Sequence, residues 1–183
     1  MSLNVIAGRF EQLLAEFSTP PDLPVAVRSV KSRIDDQLRR EVSIRRNVLI
    51  GSFASGTSVL GYSDVDYLLS LGGVGPEQES DEILRIVSRL ISDALGDGLP
   101  QIRCPAVVVE TGEYSVDLVP ACERTLNSQS PVYLIPDCRR GWQESEPEAH
   151  IAMIDRVDRI FIGALRRLVR LAKIWKYQWG LPI

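Results

Sequence analysis

Two aspartates, Asp64 and Asp66, lie two residues apart in a segment that otherwise has the apolar pattern of a buried strand, Ser63–Leu71. Successive side chains of a strand point to opposite faces, so both carboxylates project from one side, and Val65 and Tyr67 project from the other. Like charges held this close repel, and a divalent cation between them relieves the repulsion. Because the ligands are oxygens, the pattern favours Mg²⁺ or Mn²⁺.

A third carboxylate is available in the apolar segment YSVDLVP, which contains Asp117. If Val116 and Leu118 face the core, Asp117 lies on the opposite face, toward whatever Asp64 and Asp66 bind. Each signal alone has an ordinary structural explanation, since an Asp-x-Asp pair is often a solvated turn and a single strand aspartate is often an exposed edge residue. Their occurrence together predicts a metal site.

A glycine-rich turn precedes the aspartates, with Gly51 and Ser52 at the end of one strand and Gly56 and Thr57 shortly after. Glycines leave backbone amides open to a phosphate, and the two hydroxyls add donors. An anion site beside a carboxylate metal site could hold a nucleoside triphosphate while its α-phosphorus is attacked. We expect two metal ions, one steadying the triphosphate and one lowering the pKa of the attacking hydroxyl.

The elements that position these residues follow from hydrophobic periodicity. The predicted helices are Leu3–Phe17, Asp22–Glu41, a short one from Ser55 to about Leu60, Glu82–Leu95, and a long one from about Glu148 to Trp179. The predicted strands are Ile44–Ile50, Ser63–Leu71, Ile102–Glu110, Ser115–Val119 and Val132–Ile135, with a hairpin at TGEY. This order predicts an α+β (mixed α/β) fold, a twisted mixed sheet flanked by helices.

Length and composition are those of one main globular domain, with 183 residues, 45% hydrophobic and 25% charged. The formal net charge of −3 argues against a protein that coats duplex nucleic acid, and small polyanions remain compatible with it. The sequence contains neither an apolar run long enough to cross a bilayer nor an export signal. We therefore expect a cytoplasmic protein with no membrane partner.

The cysteines and the single histidine give no metal pattern. Cys104, Cys122 and Cys138 are unevenly spaced and lack a Cys-x-x-Cys pair, so they are predicted to be reduced structural residues. His150 lies in a polar stretch with no catalytic partner nearby in sequence, so it receives no chemical role.

The glycine turn and the aspartates together resemble the signature of the DNA polymerase beta type nucleotidyltransferase superfamily. The segments that follow, YLIPDCRRGWQESEPEAH and LVRLAKIWKYQWGLPI, are similar to the cGAS/DncV-like nucleotidyltransferases of bacteria. The resemblance implies an enzyme that uses NTPs and two divalent metals to make a cyclic di- or oligonucleotide messenger in anti-phage defence. It also implies a downstream effector protein as a partner.

The resemblance also implies roles for individual residues. Ser52 would contact the donor phosphates, Asp64 and Asp66 would bind both metals, and Asp117 would bind the catalytic metal and help activate the attacking hydroxyl. Lys173 would reach the triphosphate from a helix. An alternative explanation is a solvated basic face, because basic residues recur there at helical spacing: Arg166, Arg167, Arg170, Lys173 and Lys176.

Family members continue into a second helical domain, whereas this sequence ends at Ile183. We therefore expect 1–183 to be a catalytic domain: a helical part at 1–43, a sheet at 44–136, and a long helix that leads toward an absent or truncated second domain. Two other functions fit the residues. One is addition of nucleotides to a tRNA end or a protein acceptor, and the other is nucleotide binding without catalysis.

Overall fold

A computed structural model describes residues 3–96, 99–124, 131–139 and 141–180, and in these ranges the chain forms six helices and a seven-stranded mixed sheet. The predicted α+β class is confirmed. The helices are α1 (Leu3–Glu16), α2 (Val25–Glu41), α3 (Gly51–Ala54), α4 (Ser80–Leu95), α5 (Pro147–Ile160) and α6 (Ala164–Gln178). The strands are β1 (Ile44–Leu49), β2 (Val65–Leu71), β3 (Gln101–Arg103), β4 (Ala106–Glu110), β5 (Ser115–Arg124), β6 (Val132–Asp137) and β7 (Gly141–Ser145).

The sheet has the order β1-β2-β5-β4-β3, and β6 pairs with β5 and β7. Only the central pair, β2 and β5, is parallel among the described strands. The two strands begin side by side, with Val65 opposite Val116. This pairing places the start of β5 next to the start of β2, although 50 residues separate the two in sequence.

The main core lies between the sheet and helices α2 and α4. Ile34 and Leu38 of α2 and Val87 and Ile91 of α4 are fully buried against apolar side chains of the sheet such as Leu118. Full burial of one such side chain stabilises the fold by about 1.5–3 kcal/mol. The core therefore fixes β2 and β5, and with them the strand ends that carry the aspartates.

Two strand predictions need correction. The predicted strand Ile102–Glu110 is two strands, β3 and β4, which pair with each other as a hairpin around Cys104 and Pro105. β7 was not predicted, because WQES alternates weakly and is paired only through β6. The predicted hairpin between β4 and β5 is confirmed.

The short helix predicted from Ser55 to about Leu60 is wrong, because the helical turn lies earlier, at α3. Gly56 has φ +69°, which ends the helical conformation, and the Ser55 hydroxyl is hydrogen-bonded within the turn. These local hydrogen bonds give the turn partners for its polar groups without further helix. Serine and glycine both favour turns of this kind over a helix interior.

The predicted long helix from Glu148 to Trp179 is also wrong, since it is divided into α5 and α6. Ile162 and Gly163 both have positive φ, 52° and 82°. Asp158 accepts the backbone N–H of Arg166 at 3.0 Å and so satisfies a donor in the first turn of α6. The apolar period continues across the break, which is why periodicity alone predicts one helix.

Ile162 offers a stability test, because a β-branched residue with positive φ is strained and this side chain is 93% exposed. Ile162→Asn should raise the free energy of unfolding by about 0.5–1 kcal/mol, since asparagine tolerates this conformation and little packing is lost. Chemical denaturation measures the change. Ile160→Asn, at the end of α5 with a side chain that is 68% exposed, is the control and should give no increase.

Cys104 and Cys138 form a disulfide, so the prediction that all three cysteines are reduced is wrong for these two. The fold brings the β3–β4 turn next to the end of β6, a proximity that sequence spacing does not reveal. Cys122 is free and buried, as expected. No helix in the described ranges combines the length and apolarity needed to cross a bilayer.

Candidate functional site

The three predicted aspartates meet where β2 and β5 begin. Asp66 and Asp117 are directly opposite each other in the parallel register. Asp64 lies just before β2, and the hydroxyl of the buried Ser115 is 2.7 Å from Asp64 Oδ1 and 3.0 Å from Asp117 Oδ1. Val116 and Leu118 are fully buried, as predicted for the residues on either side of Asp117. The structure therefore brings the three acids together.

These carboxylates are close but are not arranged as ligands around one point. In the parts of the chain that the structure describes, no three histidine, cysteine, aspartate or glutamate side chains form a group ready to hold a metal ion. The Ser115 hydroxyl lies within hydrogen-bonding distance of one oxygen of each of two carboxylates, Asp64 Oδ1 and Asp117 Oδ1. The donor set itself, three carboxylates, fits Mg²⁺ or Mn²⁺.

Burial and the mutual repulsion of the carboxylates together govern the ionisation of the acidic group. Burial, together with the charges of Asp117 and Asp64, raises the pKa of Asp66 to about 7, against the opposing effects of Lys173 and a hydrogen bond from the Ser52 backbone. Burial likewise raises the pKa of Asp117, and the Ser115 hydrogen bond opposes this. A divalent cation would stabilise the charged forms of these groups.

Gly51 lies directly against the Asp66 side chain. A Cβ atom on Gly51 would overlap the Asp66 carboxylate, and Gly51 has φ +64°. The Ile50 amide also donates to the Asp66 carbonyl oxygen at 2.9 Å. Only glycine therefore allows the turn to lie directly against β2, which places Ser52 beside the acidic group.

Substitution of Gly51 tests this close approach. Gly51→Ala should destabilise the protein by about 2–3 kcal/mol, because it combines a strained φ with steric overlap on Asp66. Gly61→Ala is the matched control: Gly61 has φ +79° and nothing within 4 Å of the added carbon, so it reports the cost of φ alone, about 1 kcal/mol. Equal losses for the two variants would contradict a steric role for Gly51.

A pocket of about 390 Å³ opens beside the glycine turn. It is lined by residues from three regions, the turn, the β7–α5 segment and α6: Ile50, Gly51, Ser52, Ser55, Thr57, Ser145, Pro147, His150, Ile151, Ile154 and Lys173. Four of the five residues predicted to bind nucleotide are among them. Gly56 does not line this pocket, and lies instead against Arg166.

Lys173 lies between the turn and the acidic group. Its Nζ donates to the Thr57 carbonyl oxygen at 3.1 Å. Burial lowers its pKa, and the charge of Asp66 opposes this. Lys173 is therefore half-buried against the turn, and its ammonium group borders the pocket.

Sequence reasoning missed two polar residues of the pocket, Ser145 and His150. Ser145 ends β7 and His150 lies in the first turn of α5, so both reach the turn from a segment about 90 residues away. The one signal in the sequence was Pro147, which is typical of the first turn of a helix and marks where α5 begins. His150 was given no chemical role, and the structure places it in the pocket wall.

The three aspartates beside a Gly-Ser turn on a mixed sheet are the features on which the resemblance to the polymerase beta type nucleotidyltransferases rests. Residues 9–157 match the family model described as the Second Messenger Oligonucleotide or Dinucleotide Synthetase domain. The chain belongs to this family, which confirms the resemblance to the cGAS/DncV-like nucleotidyltransferases.

Solved structures share the fold. The CdnE cyclic dinucleotide synthase of Elizabethkingia meningoseptica, solved with GTP and Apcpp, is 20% identical with a TM-score of 0.73, covering 92% of this chain and 66% of that one. CdnC of E. coli MS115-1, solved with ATP, is 19% identical with a TM-score of 0.64, covering 96% and 53%. A STING-associated CdnE c-di-GMP synthase from Capnocytophaga granulosa is 20% identical with a TM-score of 0.61, covering 83% and 52%.

The chain thus spans about half to two thirds of the length of these proteins. A comparison with curated proteins finds no match.

Proposed function

We propose that this chain is the catalytic part of an enzyme that joins NTPs into a cyclic di- or oligonucleotide and releases pyrophosphate. The observation that carries the proposal is the register of β2 and β5, which sets Asp66 opposite Asp117 beside Gly51 and Ser52. Membership of the second-messenger synthetase family supports the product class.

The residues of the turn would hold the triphosphate. Ser52 and Thr57 offer hydroxyl groups, Gly51 leaves its side of the pocket free of any side chain, and Lys173 brings a positive charge within the same pocket. An ammonium group makes charge-assisted hydrogen bonds to phosphate that are roughly twice as strong as neutral ones. Lys173 would then exchange its bond to the Thr57 carbonyl for one to phosphate.

Asp64, Asp66 and Asp117 would hold two Mg²⁺ or Mn²⁺ ions, with Asp117 on the ion nearest the attacking hydroxyl. Bound there, these ions would neutralise charge on the triphosphate and lower the pKa of that hydroxyl. The charges of Asp64 and Asp117 beside Asp66 support this assignment, because a cation binds favourably where several carboxylates lie close together.

The reaction forms one bond and breaks one. A ribose hydroxyl oxygen of one nucleotide bonds to the α-phosphorus of another, and the bond from that phosphorus to the pyrophosphate oxygen breaks. The hydroxyl loses its proton in this step, and the Asp117 carboxylate would help to take it. A second reaction of the same kind closes the ring.

The direct test is incubation of the purified protein with the four NTPs and Mg²⁺, followed by mass spectrometry of the products and a pyrophosphate assay. Cyclic products that disappear in Asp64→Asn are the expected result. No pyrophosphate release, or equal release by wild type and Asp64→Asn, would contradict the proposal. Labelled nucleotide that is transferred only when tRNA or a protein is supplied would favour the alternative acceptor.

The biological setting belongs to the same proposal. One similar structure is a complex of E. coli CdnC with a HORMA protein, and others are described as STING-associated synthases. By analogy, the product would be a cytoplasmic messenger that activates a downstream effector protein in anti-phage defence. A product that activates no effector encoded beside the gene would argue against this role.

A further inference from the structure

Two basic side chains of α6 hold the same short segment, Ser55 to Thr57, which we call the return loop. Arg166 Nε donates to the Ser55 carbonyl oxygen at 2.7 Å, and Lys173 Nζ donates to the Thr57 carbonyl oxygen at 3.1 Å. The two side chains are seven residues apart and so lie on the same side of the helix. α6 thus tethers the return loop at two points.

The return loop is also bonded to the turn that carries Ser52. The Thr57 amide donates to the Ser52 carbonyl oxygen at 2.9 Å, and the hydroxyls of Ser55 and Thr57 are 2.9 Å apart. Ser55 and Thr57 are buried, and both line the pocket. A displacement of the return loop therefore displaces Ser52 with it.

The two tethers differ in how firmly they are held. Lys173 contacts the loop through a single bond from a flexible side chain. Arg166 is fixed by two carboxylates of α5: its Nη1 donates to Asp158 Oδ2 at 2.7 Å, and its Nη2 is paired with Asp155. Asp158, only 6% exposed, also accepts the backbone amide of Arg166.

The charge and the position of Arg166 both indicate that it binds the return loop and does not bind a phosphate. Its guanidinium group is already neutralised by Asp155 and Asp158, and Arg166 does not line the pocket. A Cβ atom on Gly56 would lie 2.9 Å from Arg166 Nε, so glycine allows the close approach of loop and guanidinium. This explains Gly56 without a contact to nucleotide.

We infer that Arg166 is a positioning residue that keeps the return loop, and Ser52 with it, in place while Lys173 turns from the Thr57 carbonyl to phosphate. The role of Lys173 rests on the proposed function, whereas the Arg166 tether rests on hydrogen bonds within the chain. Loss of Arg166 should therefore loosen the return loop most when nucleotide is bound.

Hydrogen exchange tests the tether directly, because the amides of Ser55, Gly56 and Thr57 are all hydrogen-bonded in the turn. Arg166→Met is compared with the control Arg167→Met. Arg167 is the neighbouring residue, is exposed, and pairs with Glu11 of α1. Without nucleotide, Arg166→Met should exchange these three amides severalfold faster than the control. With a non-hydrolysable ATP analogue and Mg²⁺, the difference should widen to about tenfold or more, the loss expected for a bond from a charged donor.

Nucleotide affinity gives a second measurement. Arg166→Met should weaken binding of the analogue, and raise the KM for ATP, by about tenfold, while Arg167→Met matches wild type. Arg166→Lys keeps the charge but has too few donors in the right geometry for all three partners, so it should fall between them. This variant decides the matter if Arg166→Met does not fold.

Equal exchange and equal affinity in the Arg166 variants and Arg167→Met would overturn the inference. A wild-type protein that binds no nucleotide would instead contradict the proposed function, and the nucleotide-free exchange comparison would still decide whether Arg166 holds the loop.

Discussion

Asp117→Asn should lower the rate of nucleotidyl transfer at least roughly a thousandfold while leaving the fold intact. The amide keeps the shape of the side chain but loses the charge that would bind a cation and accept the hydroxyl proton. Asp117 lies between Asp66 of β2 and Val108 of β4, so β4 offers no carboxylate beside it that could replace the lost charge. Pyrophosphate release with saturating NTP and Mg²⁺ measures the effect.

Glu110→Gln is the matched control for this prediction. Glu110 ends β4 in the same sheet, pairs with Arg103 at 3.2 Å, and is exposed. Glu110→Gln removes one negative charge near Asp117 but leaves all three members of the acidic group in place. The rate of nucleotidyl transfer should therefore change by less than about threefold. A comparable loss in both variants would show that general charge, and not the Asp117 carboxylate, governs the rate.

Asp66→Asn should raise the free energy of unfolding of the metal-free protein at pH 8 by roughly 2–4 kcal/mol. The pKa of Asp66 is raised from 3.8 to about 7 in the folded state, mainly by burial. Each pKa unit corresponds to about 1.4 kcal/mol, and the lower figure allows for partial solvation of the side chain. Urea denaturation with a chelator present, at pH 4 to 8, measures the effect.

The sign follows from proton binding. Below about pH 4 both states of wild type hold the proton, so Asp66 carries no penalty there. Between about pH 4 and 7 the unfolded state loses the proton and the folded state keeps it, so stability falls as pH rises, and above pH 7 the full penalty remains. The exposed Asp22→Asn is the control and should follow wild type. Parallel pH curves for wild type and Asp66→Asn would contradict the prediction.

The acidic group and the turn could be predicted because the residues that form each of them lie in short sequence segments. Alternation around Val65 and Val116 shows which side chains leave the core, and glycine at position 51 marks a turn. The sequence also predicted α2, α4 and the β4–β5 hairpin, whose apolar periods are regular.

The remaining features depend on contacts between distant segments. The break between α5 and α6 is stabilised by Arg166 and Asp158, which override the local preference of Ile162 for negative φ. The position of His150 in the pocket follows from where α5 packs, and the Cys104–Cys138 bond from where β6 ends. None of these distances can be read from local pattern.

The parallel pairing of β2 with β5 also has a consequence for synthesis on the ribosome. A nascent chain that has emerged only as far as α4 already carries the glycine turn, Asp64 and Asp66, but lacks the strand that supplies Asp117 and Ser115. Closing a separation of about 50 residues is a slow, entropically costly step compared with forming local helices. The acidic group is therefore expected to assemble late, only after β5 has left the ribosome and paired with β2.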